Sequence, residues 1–218
     1  MKFKAVIFDI DDTLFPSTEF AEKARKNAVN AMVEAGLNAD EHEAYAQLRK
    51  IIEKVGSNYD AHFDDLCEFY KNRKNRAKII AAGIAAYHNT KSSIRPYPSA
   101  ARTLLKLRDD GCKIYIASEG IEVKQWDKLF RLGLYLLVDE VFVTAEKNAA
   151  FYRGMLKKLK LKGSECLMVG DRVDKDVEPA KQAGIRTALL MHQFRKQEGK
   201  IKADFRIKKI DEVLKIVR

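Results

Sequence analysis

The sequence predicts an α/β fold, a Rossmann-like parallel sheet with crossover helices, carrying an inserted all-helical segment after its first strand. Three observations lead there. From Ser99 onward, short apolar runs alternate with segments of helical period, as in strands joined by crossover helices. Between residues 16 and 94 only helical periodicity is visible. The apolar runs end in acidic, hydroxyl or amino side chains, and an open parallel sheet gathers its ligands at the carboxyl ends of its strands.

Taken in order, the first strand is the apolar run that includes Val6, Ile7 and Phe8. The helical insertion opens at Pro16-Ser17-Thr18, with Phe20, Ala21, Ala24, Ala28, Met32 and Ala35 at helical spacing and Gly36 as a stop. Further helices are expected over residues 40–55, ending at Gly56, over about 62–70 and over about 76–87. Residues 90–99, with Pro96 and Pro98, read as the hinge back to the sheet. A helix over 100–110 stops at Gly111, and a strand follows at 112–117. Then come a helix near 123–131, a strand at 140–143, a helix near 149–159 and strands at 165–169 and 186–190, the last two separated by a helix ending near Gly184. A short edge strand near Phe205 and a terminal helix near Ile210 complete the pattern. The expected division is a core of residues 1–15 and 95–218 with an all-helical insertion of 16–94.

A chain of 218 residues buries a substantial core, and 46% hydrophobic with 33% charged residues argues against disorder. No apolar stretch approaches the about 20 residues of a membrane span, and the start of the chain enters a strand without a signal-peptide segment, so a cytoplasmic protein is expected. Cys67, Cys112 and Cys166 lack metal or redox spacing and read as core thiols. The net charge of +10 attracts anions. Two basic clusters stand out, Lys71, Arg73, Lys74, Arg76 and Lys78, and then Lys196, Lys200, Lys202, Arg206, Lys208 and Lys209. Neither is interleaved with stacking aromatics, so nucleic acid is not the expected partner.

The chemistry starts at Asp9-Ile10-Asp11-Asp12-Thr13-Leu14. In a regular strand Asp9 and Asp11 would leave on one side, and two adjacent carboxylates call for a proton, a cation or an electrophile between them. Mg²⁺ suits such oxygens and shares them with substrate phosphate. Ser118, after the second strand, has a hydroxyl that can donate to a phosphoryl oxygen. Lys147, after the third, can neutralise aspartates and phosphate together, with Lys157 and Lys158 as fallbacks. The fourth apolar run ends in Gly170-Asp171-Arg172-Val173-Asp174-Lys175-Asp176, where helix-start preference explains Asp174 and Asp176 but not Asp171.

These four stations resemble the signatures of the haloacid dehalogenase-like hydrolase superfamily. Asp9, Asp11, Thr13 and Leu14 match its first motif, Ser118 its second, Lys147 its third, and Gly170, Asp171 and Asp176 its fourth. Glu119 and Asn148 depart from the residues the family commonly places there. The resemblance implies Asp9 as nucleophile and Asp11 as general acid and base. It implies Ser118 and Lys147 on the substrate phosphate, and Mg²⁺ held by Asp9, the Asp11 backbone carbonyl and Asp171, with Asp176 at the metal or fixing a neighbour. It also implies that residues 16–94 form a cap that closes over the active site and selects the leaving group. The varied stretch around Tyr59 and His62 is a candidate specificity loop, and Phe15 and Glu19 are close enough in sequence to touch substrate.

The expected activity is therefore Mg²⁺-dependent hydrolysis of a small phosphorylated metabolite through an aspartyl-phosphate. A 2-haloacid dehalogenase is the main alternative. It is disfavoured because halide needs no proton from Asp11. A phosphomutase would need an acid or base from the cap, and a non-catalytic binding module would leave competent residues unused. The signatures leave the exact substrate and the oligomeric state open.

Overall fold

A computed structural model describes residues 3–194 and 201–217, so Lys196 and Lys200 of the second basic cluster lie outside the described residues. The chain divides into two compact units, Met1–Ser17 with Arg95–Arg218, and Thr18–Ile94.

The first unit is built on a six-stranded sheet of β1 (Ala5–Phe8), β2 (Lys113–Glu119), β3 (Glu140–Thr144), β4 (Cys166–Gly170), β5 (Arg186–Leu190) and β6 (Phe205–Ile207). The order is β3-β2-β1-β4-β5-β6, and every pairing is parallel. The sequence accounts for the centre of this sheet. Every residue of β1 and β4 is buried, as expected of strands covered on both faces, and their continuous apolar runs serve that burial. On one face Ala5, Ile7, Tyr115, Ala117, Cys166 and Met168 pack with Tyr152, Met155 and Leu156 of the helix Ala149–Leu159. On the other, α5 (Ala100–Asp109) packs against β2.

The chain builds outward from β1 through β2 to β3, then crosses back to β4 and builds the other way. β1 and β4 are hydrogen-bonded neighbours at this reversal, with Phe8 opposite Val169. A crevice opens beyond the carboxyl ends of strands at such a point, so the residues following Phe8 and Gly170 share it.

The outer edge is held by one aspartate. Asp204 Oδ2 accepts from the Thr187 amide at 2.9 Å and the Thr187 hydroxyl at 3.0 Å, while Oδ1 pairs with Lys181 and Arg186 at 3.3 and 3.2 Å. Burial pushes its carboxyl up, but these donors outweigh burial and hold it below the ordinary aspartate value.

The second unit contains α1 (Ser17–Glu34), α2 (Glu41–Val55), α3 (His62–Phe69) and α4 (Arg76–Lys91), with Val29, Met32, Leu48, Leu66 and Ile79 among its buried residues. Asp40 caps α2 by accepting from the His42 and Glu43 amides. Gly83 sits inside α4 because a Cβ there would meet the Met32 side chain at 2.7 Å, so the glycine admits a close helix approach. α4 runs past the expected end at Tyr87. Thr90, expected in the hinge, is buried in its last turn, donating to the Ala86 carbonyl at 3.0 Å and accepting from Asn27 at 2.8 Å.

Among the described residues, three turns have no counterpart in the periodicity, 3₁₀ turns at Tyr135–Leu137 and Gly163–Glu165 and a single π-helical turn at Val173–Val177. Cys67, Cys112 and Cys166 are buried, and burial pushes the Cys166 thiol up to about 12. No helix among the described residues is long and apolar enough to cross a membrane.

Candidate active site

The first functional segment leaves β1 at Phe8, so Asp9 already lies beyond the strand. Its amide donates to the Val169 carbonyl at 3.0 Å, which ties it to the end of β4. The chain then turns. The Thr13 and Leu14 amides both donate to the Ile10 carbonyl, and Asp12 takes a left-handed φ of 54°. Strand alternation therefore does not extend to Asp11, which correcting the sequence reading puts on a tight turn rather than on a continuing strand. Asp9 is buried, whereas Asp11 is half-buried and pairs with Lys128 at 2.5 Å. Lys128 belongs to α6 (Glu122–Arg131).

Lys147 follows β3 and reaches inward. Its Nζ, with the side chain only 4% exposed, donates to Asp9 Oδ1 at 2.7 Å and Asp176 Oδ1 at 2.5 Å. Two neighbours fix its backbone. Glu119 Oε2 accepts from the Lys147 amide at 2.9 Å and also pairs with Lys175 at 3.1 Å, so this carboxylate braces the lysine. Asn148 caps the helix Ala149–Leu159, here α7, by accepting from the Phe151 amide at 3.0 Å.

Asp171 is buried immediately after β4. Asp176 is delivered by the π-helical turn, and its Oδ2 accepts from the Arg172 amide at 3.0 Å. Gly170 makes that approach feasible, because any Cβ there would fall on the Asp176 carboxyl group. Asp174 instead pairs with the Arg172 guanidinium at 2.5 Å and stays half-exposed. Asp9, Asp171 and Asp176 each offer an oxygen within 4.8 Å of the others, and all three are buried. Such a triad has the donor chemistry of a metal site. Asp11 is not part of it.

The electrostatics follow from this packing. Burial raises Asp9 to about 7, with Lys147 opposing and the Asp176 and Asp11 carboxylates adding to the rise. Burial pushes the Lys147 ammonium down, but Asp176 and Asp9 more than offset it and hold the group well above the usual lysine value. Ser118, the penultimate residue of β2, is buried beside Val143 of β3.

The structure thus brings Asp9, Lys147, Asp171 and Asp176 together. Of the fallback lysines, Lys158 pairs with Glu140 instead. His62 and Glu19 belong to the helical unit, where the His62 ring contacts the Gly56 carbonyl at 2.9 Å and Tyr59 edge-on. Three residues of this neighbourhood escape sequence reasoning. Lys128 meets Asp11 across 117 positions, and Glu119 acts through the Lys147 backbone. His192 Nε2 contacts the Asp12 carbonyl at 2.5 Å. It follows β5, so the strand-end rule alone could have flagged it.

The family described as haloacid dehalogenase-like hydrolase matches residues 3–184. The chain is 41% identical over 222 residues to a glyceraldehyde 3-phosphate phosphatase of Methanocaldococcus jannaschii, covering 99% of this chain and 97% of that protein. It is 28% identical to a ribulose-1,5-bisphosphate 5-phosphatase of Halopiger xanaduensis, over 85% and 83% of the two chains. The fold is similar to the crystal structure of a HAD phosphatase from Thermococcus onnurineus, with a TM-score of 0.69, 23% identity and coverage of 99% and 98%. With a family match over residues 3–184 and a relative of this identity along nearly its whole length, the chain belongs to the haloacid dehalogenase-like hydrolases.

Proposed function

We propose that the chain is a Mg²⁺-dependent phosphoric monoester hydrolase of the cytoplasm, acting on a small phosphorylated metabolite through a phosphoryl group carried on Asp9. The supporting observation is a cluster of buried carboxylates. Three buried carboxylates, Asp9, Asp171 and Asp176, face one buried ammonium, Lys147. Each carboxylate offers an oxygen within 4.8 Å of the others, and hard oxygen donors gathered in this way suit Mg²⁺. Asp9, Asp171 and the Asp11 backbone carbonyl would hold the ion, with Asp176 beside them. Bound there, it draws charge from the phosphoryl oxygens and offsets their repulsion of a carboxylate.

The chain's own groups supply the rest. Lys147 fixes Asp9 through Oδ1 and adds positive charge where phosphate arrives. Ser118 donates to a phosphoryl oxygen. As Asp9 forms its bond to phosphorus, the ester P–O bond breaks and Asp11 gives a proton to the departing oxygen. Water then attacks the Asp9-bound phosphorus, Asp11 takes the proton back, and inorganic phosphate leaves. The helical insertion, residues 16–94, acts as the cap that selects the leaving group. Both relatives named above act on short phosphorylated sugars, and glyceraldehyde 3-phosphate is the first candidate substrate.

The test is phosphate release from glyceraldehyde 3-phosphate, ribulose 1,5-bisphosphate, phosphoglycolate, hexose phosphates and nucleotides, with Mg²⁺ and with EDTA. Release is expected to be fastest on a short sugar phosphate and to drop by at least about 100-fold in EDTA. Halide release from 2-haloacids without phosphate release would replace this reading with a dehalogenase. Silence on every ester and haloacid would leave a binding module.

A further inference from the structure

The two oxygens of the Asp11 carboxylate are in different states. Oδ2 accepts from Lys128 Nζ at 2.5 Å, while Oδ1 is buried and has no hydrogen-bond partner among the described residues. The ammonium is held from a second side by the Phe15 ring, whose centroid lies 6.0 Å away. Phe15 is in turn bridged to Asp11 through the backbone of the same turn. Side-chain exposures of 20% for Lys128 and 36% for Asp11 keep the pair within reach of an incoming molecule. An aspartate without such a clamp samples several rotamers, with a broad second torsion. One ammonium on Oδ2 selects a single orientation and leaves Oδ1 without a hydrogen-bond partner among the described residues.

We infer that Lys128 is a positioning residue for Asp11: it occupies Oδ2 so that Oδ1 is the oxygen that passes the proton to and from the reacting groups. This rests on the reading of Asp11 as proton carrier given above. Lys128 does not itself touch the phosphoryl group. Its loss therefore harms the step that needs a well-placed acid and spares a step that needs none.

The experiment compares K128M and K128R with wild type on two esters, glyceraldehyde 3-phosphate, whose alkoxide must be protonated, and p-nitrophenyl phosphate, whose phenolate leaves without help. For K128M, kcat on the triose phosphate is expected to fall about 10- to 100-fold with KM changed less than about 3-fold. The pre-steady-state burst of p-nitrophenolate should keep its wild-type rate within about 3-fold, and K128R should recover most of the lost kcat. An equal loss on both esters, a rise in KM alone, or no change would overturn the inference. Crystal structures of metal-free wild type and K128M give an independent readout. Asp11 should hold one rotamer in the first and several in the second, and one shared rotamer would refute the clamp even if neither protein hydrolysed any ester. Failure of the wild type on all esters would instead count against the phosphatase reading.

Discussion

Asp9→Asn is expected to abolish phosphate release, lowering kcat by at least about 10⁴-fold, because an amide oxygen cannot form and release the phosphoryl bond that the carboxylate carries. The substitution is close to isosteric. Asp9 is buried and burial already raises it to about 7, so a neutral amide is well tolerated there by the surroundings. Lys147 keeps its contact to Asp176. The melting temperature of the metal-free variant should therefore stay near that of wild type, which separates a chemical loss from a folding loss. Steady-state kinetics alongside circular-dichroism melts check both halves. A folded Asp9→Asn protein turning over within tenfold of wild type would remove Asp9 from the mechanism.

Lys147→Met should fail in both respects. The side chain is 4% exposed and neutralises two buried carboxylates at 2.7 and 2.5 Å, so its removal leaves Asp9 and Asp176 facing each other without a counter-charge. Breaking a buried pair in this way costs about 3–5 kcal/mol, and catalysis should fall with it by about 10²-fold or more. The pH dependence of the stability loss is specific. Lys147 opposes the upward shift of Asp9, so in the variant Asp9 holds its proton to still higher pH than the value of about 7 in wild type. A carboxyl whose folded-state affinity for protons exceeds that of the unfolded chain favours folding at low pH and loses that contribution as pH rises through its folded value. Urea unfolding in EDTA at pH 5.5 and 8 should show the variant losing more stability than wild type on going to the higher pH. A variant equally stable at both pH values, and close to wild type, would mean that Lys147 is not the counter-charge of this cluster.

Much of this architecture was legible because its signals are local. Continuous apolar runs such as Ala5–Phe8 and Cys166–Gly170 announce strands covered on both faces, and the residues that follow them occupy the crevice at the strand ends. Asp171 follows β4 directly, whereas Lys147, three residues past β3, is singled out by its order among the four motifs. The features that were not legible are nonlocal or depend on backbone detail. Lys128 finds Asp11 over 117 positions of chain, and nothing in the amphipathic pattern of α6 singles it out. Glu119 departs from the residue the family commonly places there, and its carboxylate is spent on the Lys147 amide and on Lys175. Asp176 reaches its place through a π-helical turn and the missing side chain of Gly170, and ordinary helical spacing describes neither. Likewise Thr90 extends α4 because its hydroxyl finds Ala86 and Asn27, contacts that periodicity does not encode.

The most direct measurement is a crystal structure of the protein grown with Mg²⁺ and beryllofluoride, which mimics a phosphoryl group bonded to a carboxylate. The account predicts beryllofluoride on an Asp9 oxygen, one ion between Asp9 and Asp171, and the Lys147 ammonium directed at the fluorides. Beryllofluoride absent from Asp9, or an ion bound away from Asp9 and Asp171 in a protein that still releases phosphate, would contradict it.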